Sequence, residues 1–272
     1  MADLLPYSIS YENSRVKSVQ FDNLPVVALS GTIFDGMWKL TRSRRPLGEG
    51  CSLLTRCRSD AERTLILDIA AASAAELSTI LCTMRDVFDY DLEHRTPGRL
   101  WVNKSYLNCW CSGRAKELSC DIVNRARVKL TIIPAHPAWC EDRIYSLKPD
   151  FSVPNGTVRY LSVYNSSGSP APLRITLNGP SSDPSVKVNG VSIGIVGSLA
   201  DGESLIIDQQ SRTLTRYTID GQTVNCFDRR IKNGKTFEYV PSGQSEISTA
   251  VRTMGINVTL IEQRSEPSWC QD

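Results

Sequence analysis

Histidine is almost missing from this chain: His94 and His136 are the only two in 272 residues. Hydrolases of the Ser-His-Asp or Cys-His type need an imidazole base, so that chemistry has little to work with. His94 sits among charged residues in "DLEHRTP" and His136 between two prolines in "PAHPAW". Both read as surface or turn histidines. No G-x-S-x-G, P-loop, G-x-G-x-x-G or H-E-x-x-H is present, which removes the commonest nucleophile, phosphate and zinc motifs. Carboxylate neighbours such as Asp89 and Asp91 are too common to mark a glycosidase. The expectation is a non-enzyme with no catalytic residues, no metal and no cofactor.

An excess of either charge is also missing. The chain carries 31 Lys+Arg against 29 Asp+Glu, split 20 to 18 over residues 1–150 and 11 to 11 over 151–272. A protein that lives on nucleic acid carries a clear basic excess. No apolar run approaches the roughly 18 residues of a membrane span, so membrane insertion is not expected. The opening "MADLLPYSIS" lacks the charged and apolar stretches of an export signal.

Cysteine, by contrast, is plentiful: nine residues, seven of them before residue 150. The odd count and the absence of an export signal argue for reduced, partly buried thiols rather than a disulfide scaffold. Cys109-x-Cys111 with Cys120 could seed a metal site, but structural zinc usually takes Cys pairs spaced by two to four residues. In "YLNCWCSG" the pair reads instead as two residues on one strand face.

The first half mixes strands with one helix. Leu65, Leu67 and Ile69 alternate in "TLILDIA". In "SAAELSTILCTMRDVF", Ser73 and Glu76 form a capping box. Leu77, Ile80, Leu81, Met84, Val87 and Phe88 then recur at helical spacing. "GRLWVNKSYLNCWCS" reads as a hairpin, and Val128, Leu130 and Ile132 mark a strand stopped by Pro134 and Pro137. "KPDFSVPNG" is the best domain boundary, giving domains 1–150 and 151–272. Beyond it, Asn-Gly or Asp-Gly pairs at 155, 178, 189, 201, 220 and 233 supply tight turns between short alternating runs. Leu173, Ile175 and Leu177 share a face, as do Val191, Ile193 and Ile195, and Ile256, Val258 and Leu260. That grammar predicts an antiparallel β-sandwich or barrel.

"KLTRSRRP" is the one basic cluster, with Lys39, Arg42, Arg44 and Arg45. It reads as a solvated loop or as a protein–protein contact, since Arg is favoured at interfaces. A nucleic-acid reading lacks interleaved aromatic platforms. With Trp101 and Trp110 of the hairpin, these residues are the candidate inter-subunit interface.

Several segments carry a resemblance. "GSLADGESLIIDQQSRTLT" resembles the turn, D-G-E-[ST]-L-x-I-D and strand of the distal tail (Dit) proteins of long-tailed bacteriophages. "NGTVRYLSVYNSSGSPAPLRITLNGP", "FEYVPSGQSEIS" and "VKLTIIPAHPAW" resemble three further sections of that family, in the expected order. The last keeps the prolines and the aromatic of the first domain's close but not its cysteine, and Ser245 stands where the family has Asn. The likeness covers most of 125–262, and 1–124 only as a pattern of strands, helix and hairpin. It implies a mainly β fold of two β-sandwiches: a ring-forming domain over 1–150 with one helix and a hairpin, and a galectin-like domain over 151–272. It also implies a structural hub of the virion tail tip, assembled in the bacterial cytoplasm. The hub would be a hexameric ring joining the tail tube protein to the tail-tip protein and to receptor-binding proteins, with DNA passing unread. The competing expectation is a carbohydrate-binding module; the scarcity of Trp after residue 150 weighs against it.

Overall fold

In a computed structural model, the structure describes residues 7–36, 38–44, 51–118, 123–154, 156–232 and 235–268. It is mainly β, and the described residues hold one α-helix. The chain divides into two compact units, 1–140 with 264–272, and 141–263. The expected cut near residue 150 falls inside the second of them.

The first unit contains β1 (Ile9–Glu12), β2 (Ser18–Gln20), β3 (Asp22–Asn23), β4 (Val26–Gly31), β5 (Trp38–Arg44), β6 (Cys51–Arg58) and β7 (Arg63–Ala70). The helix α1 (Ala74–Glu93) follows, then β8 (Gly98–Val102), β9 (Ser105–Leu118) and β10 (Arg125–Pro134). Eight of these strands form one antiparallel sheet in the order β2-β1-β8-β9-β10-β7-β4-β3. Its inner face is dictated by period-2 alternation: Leu65, Leu67 and Ile69 of β7, Leu100 and Val102 of β8, and Val128, Leu130 and Ile132 of β10 are all buried.

α1 closes this core. Ser73 Oγ accepts from the Glu76 amide at 3.1 Å, and Glu76 reaches back to the Ala72 amide at 2.6 Å, one residue earlier than the capping box predicts. Leu77, Met84, Val87 and Phe88 form the buried stripe. The Phe88 ring meets Tyr11 edge-on at 4.8 Å. Beside them Asp91, fully buried, accepts from the Tyr11 hydroxyl (2.7 Å) and from the Ser14 amide and hydroxyl (2.8 and 2.7 Å). Gly98 runs so close to this cluster that any Cβ would collide with Asp91 and Tyr11. The returning segment is pinned to the β8–β9 turn: Asn103 Nδ2 donates to the Ser268 carbonyl (3.0 Å) and the Ser268 amide donates to Ser105 Oγ (2.9 Å).

β11 (Trp139–Leu147) leads into the second unit, which holds β12 (Arg159–Asn165), β13 (Leu173–Asn178), β14 (Ser181–Ser182), β15 (Ser185–Val188), β16 (Val191–Gly194) and β17 (Ser198–Leu199). β18 (Ser204–Asp208), β19 (Thr213–Tyr217), β20 (Thr223–Asn225), β21 (Gly243–Thr249) and β22 (Gly255–Arg264) complete it. Strands β20-β19-β18-β13-β22 pair in order, and so do β12-β21-β15-β16. Leu173, Ile175, Leu177, Leu205, Ile207, Ile256, Val258 and Leu260 from the first set share one core with Val163, Val186, Ile193 and Ile247 from the second. This is the sandwich that the turn-and-strand grammar predicts. Most of its turns are the expected ones, Asn178-Gly179 excepted, where neither residue takes positive φ: Asn189 and Gly190 both take positive φ (47° and 84°) in the two-residue loop between Val188 and Val191. Asp201-Gly202 and Asp220-Gly221 likewise close turns, with φ of 79° and 75° at the glycines. Asn155 and the Asn233-Gly234 pair lie outside the described residues.

Candidate assembly surface

The basic cluster forms a strand where a loop was one expectation. β5 pairs antiparallel with β6 and with no other named strand, from Trp38↔Arg58 to Arg44↔Cys51. The segment has no apolar alternation. A two-stranded ribbon held by its own backbone bonds needs none, because neither face is buried. Lys39, Arg42 and Arg44 therefore share β5, while Arg45 lies outside the described residues.

Register decides which of these act together. Residues directly opposite across a pair share a face. Trp38, Leu40 and Arg42 stand on one side with Leu53, Arg56 and Arg58, whereas Lys39, Thr41 and Ser43 share the other with Ser52, Thr55 and Cys57. A bulge at Leu54 keeps the two strands in step. The Arg56 and Arg58 guanidinium carbons lie 5.9 and 5.5 Å from the Trp38 ring centroid, within cation–π range. Lys39 points away from this group and forms an ion pair with Asp60, whose hydrogen bond raises the lysine's pKa. Leu40 and Leu53 remain 46% and 54% exposed. Sequence reasoning found Arg42 but missed Trp38, Arg56 and Arg58. Only cross-strand pairing joins them.

Trp101 and Trp110 lie where the predicted hairpin puts them, on β8 and β9. Both are half-buried. Trp101 faces Tyr106 across the hairpin at 5.0 Å, and Arg99 lies over both rings at 5.9 and 4.8 Å. Trp101 Nε1 is buried and finds no acceptor among the described residues.

The other candidates occupy structural positions. His94 caps α1, with its ring stacked on Tyr90 at 3.9 Å and Nδ1 2.8 Å from the Tyr90 carbonyl. Burial, with the Arg58 charge second, lowers the pKa of His136. Cys109 and Cys111 share the inner face of β9 and are buried. Burial raises the thiol pKa of both, that of Cys111 to about 12, so each stays protonated and packs as a small apolar group. Among the described residues no three His, Cys, Asp or Glu side chains converge as metal ligands, and the seven described cysteines form no disulfide. Cys120 lies outside the described residues.

No family model matches the sequence, and neither does any curated protein. Solved structures do match in fold. The chain is similar to the SPP1 Dit protein, described as a hub adsorption apparatus of phages infecting Gram-positive bacteria. There the TM-score is 0.60 at 8% identity, covering 95% of this chain and 99% of that one. It is also similar to a chain of the phage P2 baseplate in its activated conformation, with Ca (TM-score 0.67) and with Sr (0.66). Each is 10% identical and covers 96% of this chain and 99% of the other. The fold is thus that of phage hub and baseplate proteins, over both units.

Proposed function

We propose that this chain is a distal tail protein, the hub at the tip of a long phage tail. It closes into a ring, hexameric as in the family it resembles, and joins the tail tube to the tip protein and to receptor-binding proteins. The observation that carries the reading is end-to-end likeness: 95–96% of this chain aligns with 99% of hub and baseplate chains. Four sequence segments in family order support it independently. No catalytic role is part of the reading.

Ring closure is assigned to the first unit. A closed ring needs a heterologous contact, one patch meeting a different patch on the next copy. A lone two-stranded ribbon is marginal in water, and this one exposes Trp38, Leu40 and Leu53 beside Arg42, Arg56 and Arg58. Trp and Arg are the residues that most often anchor interfaces. Arg44, Arg45, Trp101 and Trp110 belong to the same proposed contact region, and Lys39 sits at its margin. Light scattering on the whole chain should give a discrete assembly of several times the 30.2 kDa chain mass. The triple variant Arg42→Glu, Arg56→Glu, Arg58→Glu should fall to the monomer with an unchanged circular dichroism spectrum. A triple variant that assembles like the wild type would remove the ribbon from the interface. A wild type that stays monomeric at every concentration would count against self-assembly itself.

A further inference from the structure

A second surface, separate from the arginine ribbon, points to a partner of defined chemistry. β9 runs on past its buried half alongside β10, whose other edge pairs with β7. A β-bulge at Ser112 shifts the register between Thr131 and Ile132. Because side chains alternate with period 2, one extra residue reverses which positions of β9 face inward. Before the bulge these are Leu107, Cys109 and Cys111, all buried. After it, Arg114, Lys116 and Leu118 stand opposite the inward residues Leu130, Val128 and Ala126.

Arg114 is accounted for: it bridges to Asp89 of α1 at 2.5 Å. The two beyond it are not covered. The amino-terminal half of α1, the end of β9 and the approach to β10 leave an open groove of about 470 Å³ between them. Its apolar part is Leu77, Leu81, Leu118 and Val123. Leu118 and Val123 are 63% and 72% exposed, although Leu118 continues the face that elsewhere forms the core. Its charged residues include Arg85 and Lys116, and no carboxylate lines it among the described residues; Arg125, one place before the inward Ala126, turns its side chain to the opposite face, beside Asp68 and Glu117. Lys116 has no ion-pair partner among the described residues. Arg85 pairs, among the described residues, with the exposed Asp86 beside it in sequence.

We propose that this groove is a docking site for an acidic amphipathic segment of another protein, one that lays apolar side chains against Leu77, Leu81, Leu118 and Val123 and sets carboxylates against Lys116 and Arg85. Charge complementarity selects that occupant. A basic or neutral segment would bring the two cations toward low dielectric without added counter-charge, whereas an acidic one pairs them as the apolar floor is covered. The arginine ribbon of a second copy carries the wrong sign. The proposal does not depend on the tail-tip reading.

Cys82 lines the groove and is exposed, and Cys57 is exposed on the ribbon, so the chain carries its own reporter and control. The probe is a synthetic amphipathic helix of about 16 residues, long enough to hold helical structure, built from Leu and Glu. The comparison is its Leu and Lys counterpart. The Glu peptide should bind the whole protein and slow alkylation of Cys82, read by mass spectrometry, while Cys57 reacts as before. Lys116→Glu with Arg85→Glu should weaken the Glu peptide by about tenfold or more and admit the Lys peptide. Leu118→Asp should weaken the Glu peptide too. An unchanged melting curve by Trp fluorescence shows that each variant is folded. Equal binding of the two peptides, binding that leaves Cys82 unprotected, or no binding overturns the proposal. So does Cys82 protection that rises with protein concentration alone, which would make a second copy the occupant.

Discussion

Asp91→Ala should loosen the first unit and leave the second untouched. The carboxylate is fully buried and accepts from Tyr11 and twice from Ser14. Ser14 is exposed, so its amide and hydroxyl return to water when the carboxylate goes, at a net cost of about 1 kcal/mol. The Tyr11 hydroxyl is fully buried, and its other acceptor, the Cys109 carbonyl, is 3.4 Å away. Leaving that donor poorly satisfied costs about 1–3 kcal/mol. The expected total is about 2–4 kcal/mol, or a fall in Tm of roughly 5–15 °C for a unit of this size. Asp91→Asn keeps the volume, and its amide can donate to the Tyr11 oxygen, so its cost should stay near 1 kcal/mol. The assay is built in. All five tryptophans, residues 38, 101, 110, 139 and 269, belong to the first unit, and residues 141–263 contain none. Fluorescence excited at the red edge of Trp absorption therefore follows the first unit alone. In a double-mutant cycle with Tyr11→Phe, the two changes should couple by about 1 kcal/mol or more. An Asp91→Ala protein within about 0.5 kcal/mol of wild type, the range of ordinary surface changes, would refute the reasoning.

Two further outcomes follow from the same contacts. In the second unit, Arg216 donates to both Glu203 oxygens at 2.6 and 2.7 Å, and this pairing holds the carboxylate below its ordinary value of 4.5. The folded pKa is depressed, so the stabilisation is complete above the unfolded value and is lost as pH falls through the folded one. Melting followed by far-UV circular dichroism should show Glu203→Gln less stable than wild type at neutral pH, with the gap closing below pH 4.5; a gap that is constant with pH would contradict the pairing. Native thiol titration should find Cys51, Cys57 and Cys82 reacting quickly while Cys109, Cys111, Cys140 and Cys226 wait for unfolding. The unfolded, non-reduced chain should yield close to nine thiols, and several blocked pairs in fresh protein would reverse the reduced-thiol reading.

What could be read ahead of the structure was whatever depends on local periodicity. Leu77 to Phe88 gave one helix because their spacing repeats within a few turns. Leu173 to Leu177 and Ile256 to Leu260 gave buried strand faces because alternation survives where no bulge interrupts it. What escaped depends on pairing across the chain. Trp38 joins Arg56 and Arg58 only through the β5–β6 register. The inward turn of Lys116 and Leu118 depends on one unpaired residue at Ser112. "KLTRSRR" reads as a loop because an uncovered ribbon needs no apolar face. Nothing in "DYDLE" sets Asp91 apart from Asp89, and its partners, Tyr11 and Ser14, lie far from it in sequence.

The return of the chain at Arg264 has a consequence in time. The first unit is not finished when residue 140 has been made; it also needs the segment from residue 264 on. Between the two pieces the whole of 141–263 must be synthesised, a wait of roughly 6–25 s at ordinary elongation rates. During that wait Asn103 Nδ2 and Ser105 Oγ lack the backbone of Ser268 that they later hold. Translation thus completes the second sandwich first, although it begins second. A chain cut at residue 263 would carry a complete second unit and a first unit without its returning segment, so closure of the first sheet's edge waits on synthesis of the second unit.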